Sequence, residues 1–136
     1  VTRKITHAVA RIKYGLQKDL KLGNIDAKRD WGHASDYVEA MWLMLNNKKP
    51  KDYVISTGKH YSVRDFAKLA FKLVNLDYKK FIKTDKKFYR PSDVETLLGD
   101  CKKAKKELKW KPKYNFHQLV EDTVKADLDF VKKEGY

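Results

Sequence analysis

The chain has 136 residues, enough for one domain of ordinary size and too few for two. Hydrophobic residues make up 42% of it, with three Trp, eight Tyr and six Phe, which supports a packed core and excludes wholesale disorder. The 31 Lys and Arg residues outnumber the 18 Asp and Glu residues, and the resulting net charge of +13 favours polyanions or phosphorylated ligands as partners.

The single cysteine, Cys101, excludes an intrachain disulfide and a thiolate metal site. No apolar run approaches the ~20 residues that a membrane span needs, and the first residues do not have the pattern of a signal peptide. These features predict a cytoplasmic protein. The chain opens inside "VTRKITHAVARI", which already has the pattern of an amphipathic helix, and it does not open with Met. We therefore expect a piece of something longer.

The first elements in chain order are a helix and a strand. Apolar residues at helical spacing predict a helix over 2–16, with Gly15 near its end. The stretch "DLKLGN" alternates apolar and polar residues, which predicts a short strand that runs into a turn at Gly23 and Asn24. The apolar face of the helix comprises Ile5, Val9, Ile12 and Leu16.

A second helix is predicted over 34–46, with Ser35 or Asp36 available as its N-cap. The stretch "DYVIST" at 52–57 predicts a strand that ends at Gly58. The residues expected on the inner face of the second helix are Val38, Met41, Trp42 and Leu45.

The second half of the chain predicts three more helices. Ser62 is expected to cap the first of them, "CKKAKKELKWKP" predicts a short basic helix that Pro112 stops, and the last helix runs over 115–133. Before the basic helix, "KKFIKTD" predicts a short strand, and Pro91 forces Arg90 into extended backbone. The expected apolar stripe of the Ser62 helix is Val63, Phe66, Leu69, Ala70 and Leu73.

These elements predict one α+β domain over 1–136 that is mostly helical, with a few short strands and no alternating βαβ units. The side chains that we expect to be largely buried are Trp31, Trp42, Phe66, Phe71, Leu119 and Val124.

The sequence offers few candidates for catalysis. The four histidines, at positions 7, 33, 60 and 117, lack the spacing of a metal site, and no glycine-rich phosphate loop or nucleophile elbow is present. The acids Asp26, Asp30, Asp36 and Glu39 have the pattern of turn caps and helix-surface charges.

Three cations differ from the lysine background because each adjoins a structural feature. Lys4 lies in the first turns of the first helix, Arg29 precedes Asp30 and Trp31, and Arg90 precedes Pro91. A diphosphate needs two or three converging cations, and arginine suits it because the planar guanidinium makes paired hydrogen bonds. Spacing alone leaves open a salt bridge from Arg29 to Asp30 or Asp36.

Five stretches in order resemble one family over nearly the whole chain. They are "VTRKITHAVARI", "LGNIDAKRDWGHASDYVEAMWLML", "DYVISTGKHYSVRDFAKLAF", "FYRPSDVETLLGD" and "AKKELKWKP". Together they resemble the C-terminal part of GDP-mannose 4,6-dehydratase, a member of the extended short-chain dehydrogenase/reductase superfamily. The resemblance implies the substrate-binding lobe of such an enzyme, without a complete Rossmann domain.

The resemblance also implies roles for individual residues. Lys4 matches a lysine that lines the nucleotide-diphosphate pocket, Arg29 and Arg90 match the diphosphate-binding arginines, and Trp31 would fasten the loop of Arg29 to the body of the protein. Asp93 stands where the family usually has a glutamate near the nucleotide, one methylene longer. The turn around the guanine matches Leu22, Gly23 and Asn24.

The family's cofactor and catalytic motifs are missing from these 136 residues. In the family, the glycine motif that binds NADP and the Thr/Glu and Tyr-x-x-x-Lys catalytic residues lie upstream of the segment that matches "VTRKIT". The whole enzyme converts GDP-mannose to GDP-4-keto-6-deoxymannose, the precursor of GDP-fucose and related deoxysugars, and this reaction needs a nicotinamide and an acid–base set. The resemblance therefore implies a chain that holds GDP-mannose, binds no NADP alone and is inactive alone. A fragment, a separately encoded half and an inactive remnant all fit this pattern.

Two other functions stay open from the sequence. A stand-alone basic module that binds nucleic acid fits the charge, although the lysines are dispersed and no nucleic-acid motif is present. The lobe of a related nucleotide-sugar epimerase or dehydratase fits the superfamily, although the block "KRDWGH" argues against it. For the first reading, we expect an exposed apolar face that a Rossmann-domain half covers or through which the chain self-associates. We expect no metal and no membrane partner.

Overall fold

The computed structural model describes residues 1–89, 92 and 94–134. The chain divides into two compact units, and it crosses between them more than once. The first unit comprises Val1–Ala27, Ser62–Glu95 and Val120–Tyr136, and the second comprises Lys28–Tyr61 and Thr96–Leu119.

The first unit is built on α1 (Thr2–Lys13), which packs against α3 (Val63–Leu73). Beside them, β1 (Leu20–Leu22) pairs in parallel with β4 (Ile82–Thr84). Between α3 and β4 lies the short helix α4 (Tyr78–Phe81), and a 3-10 turn over Lys86–Phe88 follows β4. The buried side chains include Ile5, Val9, Phe66, Ala70, Phe71, Val120 and Val124.

Two polar contacts fix the helices of this unit. Ser62 caps α3 as predicted, because its hydroxyl accepts from the amide of Asp65 while the Asp65 carboxylate accepts from the amide of Ser62. The buried hydroxyl of Thr6 on α1 donates to the carboxylate of Asp127 at 2.6 Å. Asp127 lies on α6 (Phe116–Lys133), so the last helix is tied to the first.

The second unit contains α2 (Ala34–Leu45) and α5 (Lys102–Leu108), which pack on each other. Its two short strands, β2 (Lys28–Arg29) and β3 (Tyr61–Ser62), form a second two-stranded sheet, and β3 leads into the first unit. The core between the helices consists of Ala40, Cys101, Ala104, Leu108 and Trp110. Small alanines on both helices allow their close approach.

The expectation of a helix-rich chain with a few short strands is confirmed. The strand predicted over 52–57 is wrong, because these residues are in neither a helix nor a strand. A strand needs a partner backbone, and in the described part of the chain this segment pairs with none in a ladder. None of the described helices is long and apolar enough to span a membrane.

The predicted inner face of α2 is also wrong. Val38, Met41, Trp42 and Leu45 are 56–86% exposed. The residues that face α5 and the core are instead Tyr37, Ala40, Leu43 and Met44. The helix is apolar on most of its circumference, so the pattern did not define its phase. Trp42 is therefore not a core residue, and Trp31 is only half-buried.

The other four predicted core residues, Phe66, Phe71, Leu119 and Val124, are buried. At the helix ends, two predicted apolar positions are exposed, namely Leu16 and Leu73. The N-cap of α2 is His33, whose Nδ1 accepts from the amide of Ser35, and not Ser35 or Asp36 as predicted.

Candidate functional site

In the first unit, Lys4 and Gly23 meet at Phe88. The Nζ of Lys4 lies 4.0 Å from the centroid of the Phe88 ring, a cation–π contact. A Cβ at position 23 would clash with the carbonyl oxygen of Phe88, so only glycine permits this approach. The structure therefore joins two of the predicted site residues through an aromatic residue of the "FYRP" motif.

Leu22 and Asn24 fix the turn around Gly23. The carbonyl oxygen of Leu22 accepts from the amide of Asp85 at 2.9 Å, and the side-chain oxygen of Asn24 accepts from the amide of Asp26 at 3.0 Å. Asp26 in turn accepts two hydrogen bonds from the guanidinium of Arg64, at 2.8 and 2.9 Å. The hydrogen bond from Arg64 lowers the pKa of Asp26 below its ordinary value. Hydrogen bonds to Asp85 and within residues 24–26 thus fix the turn on either side of Gly23.

In the second unit, Arg29 lies on β2 and is one of the residues that line a cavity of about 400 Å³. Its Nη1 donates to the carbonyl oxygen of Lys28 at 2.8 Å, and that oxygen also accepts from the amide of Leu97 at 3.1 Å. The residues that line the cavity are Arg29, Asp30, Trp31, Leu97, Leu98 and Gly99. The cavity thus combines an arginine, which can bind an anion, with the apolar side chains of Trp31, Leu97 and Leu98.

The carboxylate of Asp30 connects three segments of this unit. Its Oδ1 accepts from the amide and the hydroxyl of Thr57 at 2.9 and 2.6 Å. Its Oδ2 accepts from the amide of Gly58 at 2.9 Å and from that of Gly99 at 3.4 Å. Burial raises the pKa of the Tyr37 hydroxyl, and the negative charge of Asp30 raises it further.

Aromatic rings support the same loop. The Trp31 ring lies 6.2 Å from that of Phe116 with an angle of 21° between the planes, and Tyr61 stacks on Phe116 at 3.8 Å. Beyond the loop, His33 stacks on Tyr114 at 4.0 Å. The residues that follow Arg29 are thus packed against the segment that leads into α6.

Asp36 is not the surface charge that the sequence predicted. It is 1% exposed, and its Oδ2 accepts from the amides of Lys113 and Tyr114, both at 3.1 Å. Its carbonyl oxygen accepts from the indole nitrogen of Trp110 at 2.8 Å, while its Oδ1 is buried and has no hydrogen-bond partner among the residues that the structure describes. Asp30 and Asp36, the two carboxylates that the sequence offers to Arg29, both accept hydrogen bonds from backbone amides.

The predicted site residues are distributed over both units. Lys4, Leu22, Gly23 and Asn24 belong to the first unit, whereas Arg29 belongs to the second. The predictions for Arg90 and Asp93 lie outside the described residues. In the part of the chain that the structure describes, no group of three His, Cys, Asp or Glu side chains is placed to hold a metal ion.

Sequence reasoning missed Phe88 and Thr57 as contacts of the site. Phe88 precedes the "YRP" motif, and its proximity to Gly23 depends on the pairing of β1 with β4. Thr57 is the last residue of the segment for which the sequence predicts a strand. Gly58, which follows it, is a turn signal, but it does not identify Asp30 as the partner. Neither contact is visible without the tertiary structure.

Comparison with solved structures defines the class of the fold. The chain superposes on RMD of Pseudomonas aeruginosa, solved in complex with NADPH, with a TM-score of 0.84 and 21% identity, over 96% of this chain and 42% of that one. It matches UDP-glucose 4-epimerase of Thermotoga maritima, solved with UDP-glucose, with a TM-score of 0.74 and 25% identity, over 93% of this chain and 38% of that one. The chain has the fold of one part of such larger enzymes.

The sequence comparisons are more specific. The model of the family "GDP-mannose 4,6 dehydratase" matches residues 1–123. GDP-mannose 4,6 dehydratase 1 of Arabidopsis thaliana is 52% identical over 98% of this chain, and the human GDP-mannose 4,6 dehydratase is 45% identical over 97% of it. The chain belongs to the GDP-mannose 4,6-dehydratase family. It spans 37% of the length of the Arabidopsis protein and 40% of the human one.

Proposed function

We propose that this chain is the nucleotide-sugar-binding domain of a GDP-mannose 4,6-dehydratase and that it binds the GDP part of GDP-mannose. The observation that carries the proposal is Arg29, an arginine that lines a cavity and is followed by Asp30 and Trp31, which hold its loop in place. Family membership supplies the ligand, because the proteins that match over nearly the whole chain are GDP-mannose 4,6-dehydratases.

In this proposal, the guanidinium of Arg29 and that of Arg90 neutralise the diphosphate. The turn of Leu22, Gly23 and Asn24 packs around the guanine. Lys4 contributes a further positive charge near the nucleotide. The whole enzyme converts GDP-mannose to GDP-4-keto-6-deoxymannose. These residues bind and orient the ligand and are not the groups that move its protons.

NADP supplies the hydride chemistry of the whole enzyme, and we propose that the described residues of this chain do not hold it. A dinucleotide site places a glycine-rich turn between a strand and a helix, so that the pyrophosphate reaches the helix N-terminus. Here α3 directly follows β3, and its N-terminus is closed by Ser62 and the carboxylate of Asp65, which would repel a pyrophosphate. We propose that other residues of the full-length enzyme hold the cofactor and that this chain alone has no dehydratase turnover.

Calorimetric titration with GDP and GDP-mannose tests the proposal. We expect weak binding that both Arg29→Ala and Arg90→Ala reduce by roughly tenfold to a hundredfold, because a charge-assisted hydrogen bond contributes ~1.5–3 kcal/mol. Arg29→Lys should restore little, because an ammonium cannot reproduce the paired contact of a guanidinium. Lys18→Ala is the matched control, since it removes one cation from a residue outside the proposed site. Absence of any GDP binding would overturn the proposal.

The same titration decides against the nucleic-acid alternative. A basic module would bind a short DNA duplex through many lysines, with an affinity that falls steeply as salt rises and that hardly changes in either arginine variant. The nucleotide-sugar proposal predicts GDP binding that depends on Arg29 and Arg90, and no salt-sensitive duplex binding of comparable strength. Strong duplex binding without GDP binding would support the alternative.

We further propose that the Rossmann-domain half of the full-length enzyme covers the exposed face of α2. Val38, Met41, Trp42 and Leu45 are large apolar side chains, and each is more than half exposed. An apolar patch of this kind marks an interface. When this face is bare, it should drive self-association.

Light scattering over a range of concentrations tests this proposal. The chain should form dimers or larger species, and the double variant Trp42→Gln, Leu45→Gln should shift it to monomer. Leu73→Gln, which changes an exposed leucine on α3, is the control and should have no effect. A strict monomer at high concentration contradicts the proposal.

A further inference from the structure

Asp30 has an arrangement of partners that only a carboxylate can satisfy. Four donors converge on its two oxygens, namely the amide and hydroxyl of Thr57, the amide of Gly58 and the amide of Gly99. An asparagine at this position would turn its own N–H group toward one pair of these donors, because an amide side chain accepts at only one end. The site therefore requires an acceptor at both ends.

Two glycines also constrain the segments that Asp30 joins. Gly58 has a φ of +75°, which favours glycine. A Cβ at position 99 would overlap the side chain of Ser56, so the 97–99 segment lies directly on the 56–58 segment. Arg29 is the neighbour of Asp30 in the chain, and its cavity is lined by Leu97, Leu98 and Gly99. Both the backbone of Arg29 and the opposite wall of its cavity therefore depend on this carboxylate.

We propose that Asp30 is a positioning residue for ligand binding, which holds the Arg29 guanidinium and the 97–99 wall in register so that they bind the same diphosphate. This inference rests on the proposed function, since it takes Arg29 to be a ligand contact. Asp30 also lines the cavity, but both of its carboxylate oxygens accept hydrogen bonds from the protein, so in this proposal the carboxylate is not a ligand contact. Its effect is therefore transmitted entirely through Arg29 and the wall.

A double-mutant cycle tests this. GDP affinity is measured for the parent chain, Arg29→Ala, Asp30→Asn and the combined variant. Asp30→Asn should weaken GDP binding by about tenfold, a loss similar to that of Arg29→Ala, and the combined variant should be less than about threefold weaker than Arg29→Ala alone. If Asp30 acted independently of Arg29, the fold-losses of GDP affinity in the two single variants would instead multiply in the combined variant.

Two variants control for charge and for folding. Asp65→Asn makes the same chemical change at the capping carboxylate of α3 and should leave GDP affinity within about twofold, which excludes a general effect of lost charge. Thr57→Val removes only the hydroxyl that donates to Asp30 at 2.6 Å, and it should weaken binding by about two- to fivefold. If Asp30→Asn does not fold, the cycle is run with Thr57→Val.

The outcomes separate the two proposals. Loss of affinity in Asp30→Asn that does not add to that of Arg29→Ala supports the positioning role. Affinity unchanged in Asp30→Asn and Thr57→Val, or losses that multiply with Arg29→Ala, overturn the positioning role and leave the proposed function intact. A parent chain that does not bind GDP overturns both.

Discussion

Asp36 gives the strongest stability prediction, because it is a buried carboxylate on α2 that accepts from two backbone amides of the loop between α5 and α6. In Asp36→Ala, the amides of Lys113 and Tyr114 lose their acceptor at 3.1 Å. The carbonyl oxygen of residue 36 remains, so the hydrogen bond from the Trp110 indole survives the change. The perturbation therefore removes two specific hydrogen bonds from the second unit.

The magnitude follows from what is lost and what is relieved. A hydrogen bond to a charged group contributes about 1.5–3 kcal/mol, so the two together contribute about 3–6 kcal/mol. The Oδ1 atom is buried without a hydrogen-bond partner in the described part of the chain, and its removal returns about 1–3 kcal/mol. The difference is centred on ~2.5 kcal/mol, so we expect Asp36→Ala to lower the free energy of unfolding by about 2–3 kcal/mol.

Urea denaturation followed by tryptophan fluorescence measures this change in the second unit, to which Asp36 belongs. Trp31, Trp42 and Trp110 are the three tryptophans, and all of them belong to the second unit. With a slope of about 1–3 kcal/mol per molar urea, the midpoint should fall by about 1 M or more.

Glu39→Ala is the matched control for this experiment. Glu39 lies on the same helix and accepts from the Nζ of Lys113 at 2.6 Å, but this pair is exposed. An exposed ion pair contributes about 0.2–1 kcal/mol, so the control should differ clearly from Asp36→Ala. Equal effects of the two variants would refute the reasoning from burial.

Three further predictions concern other parts of the structure. Phe66→Ala empties a fully buried position in the first unit and should cost about 3–5 kcal/mol, measured by circular dichroism during denaturation; a cost below about 1 kcal/mol would contradict the core assignment. Gly99→Ala forces a Cβ into the side chain of Ser56 and should cost about 1–3 kcal/mol by tryptophan fluorescence, whereas an unchanged midpoint would show that the contact is loose. Arg64 lowers the pKa of Asp26, so the pair stabilises the fold above the unfolded-state pKa of about 3.9 and this contribution is lost as the pH falls through the lowered value. Arg64→Ala should therefore raise the pKa of Asp26 in an NMR titration, and an unchanged pKa would mean that the ion pair does not form.

Local signals predicted the helices better than the strands. The capping pattern of Ser62 and Asp65 is contained within four residues, so the start of α3 could be predicted from the sequence. The local sequence around 52–57 could not show whether this segment forms a strand, because a strand is defined by hydrogen bonds to a partner that is distant in sequence. The segment contains the aromatic and β-branched residues that strands favour, but no ladder partner for it exists in the described part of the chain.

The phase of α2 failed for a different reason. Apolar residues occupy most of its circumference, so two faces satisfied the helical spacing equally well. The face of Ala40 is the inner one because Ala104 of α5 can approach a small side chain closely, and packing of this kind depends on another helix. Val38, Met41, Trp42 and Leu45 were left on the outside, where a partner surface is needed to bury them.

The Arg-Asp-Trp motif shows why a candidate binding residue could be named from the sequence while its support could not. The arginine stands out because it differs from the lysine background and lies two residues from a tryptophan, but Asp30 has the appearance of an ordinary turn residue or ion-pair partner in the sequence. Its partners come from positions 57, 58 and 99, which are 27 to 69 residues away along the chain. The Asp30 carboxylate accepts from backbone amides at both of its oxygens. Because an amide in a half-buried loop loses free energy when it has no acceptor, these hydrogen bonds constrain the donor segments more strongly than an apolar contact would. Changes at Thr57 or Gly99 should consequently alter the position of Arg29, although neither residue adjoins it in sequence, and under the proposed function the affinity for GDP should then depend on the packing of the second unit.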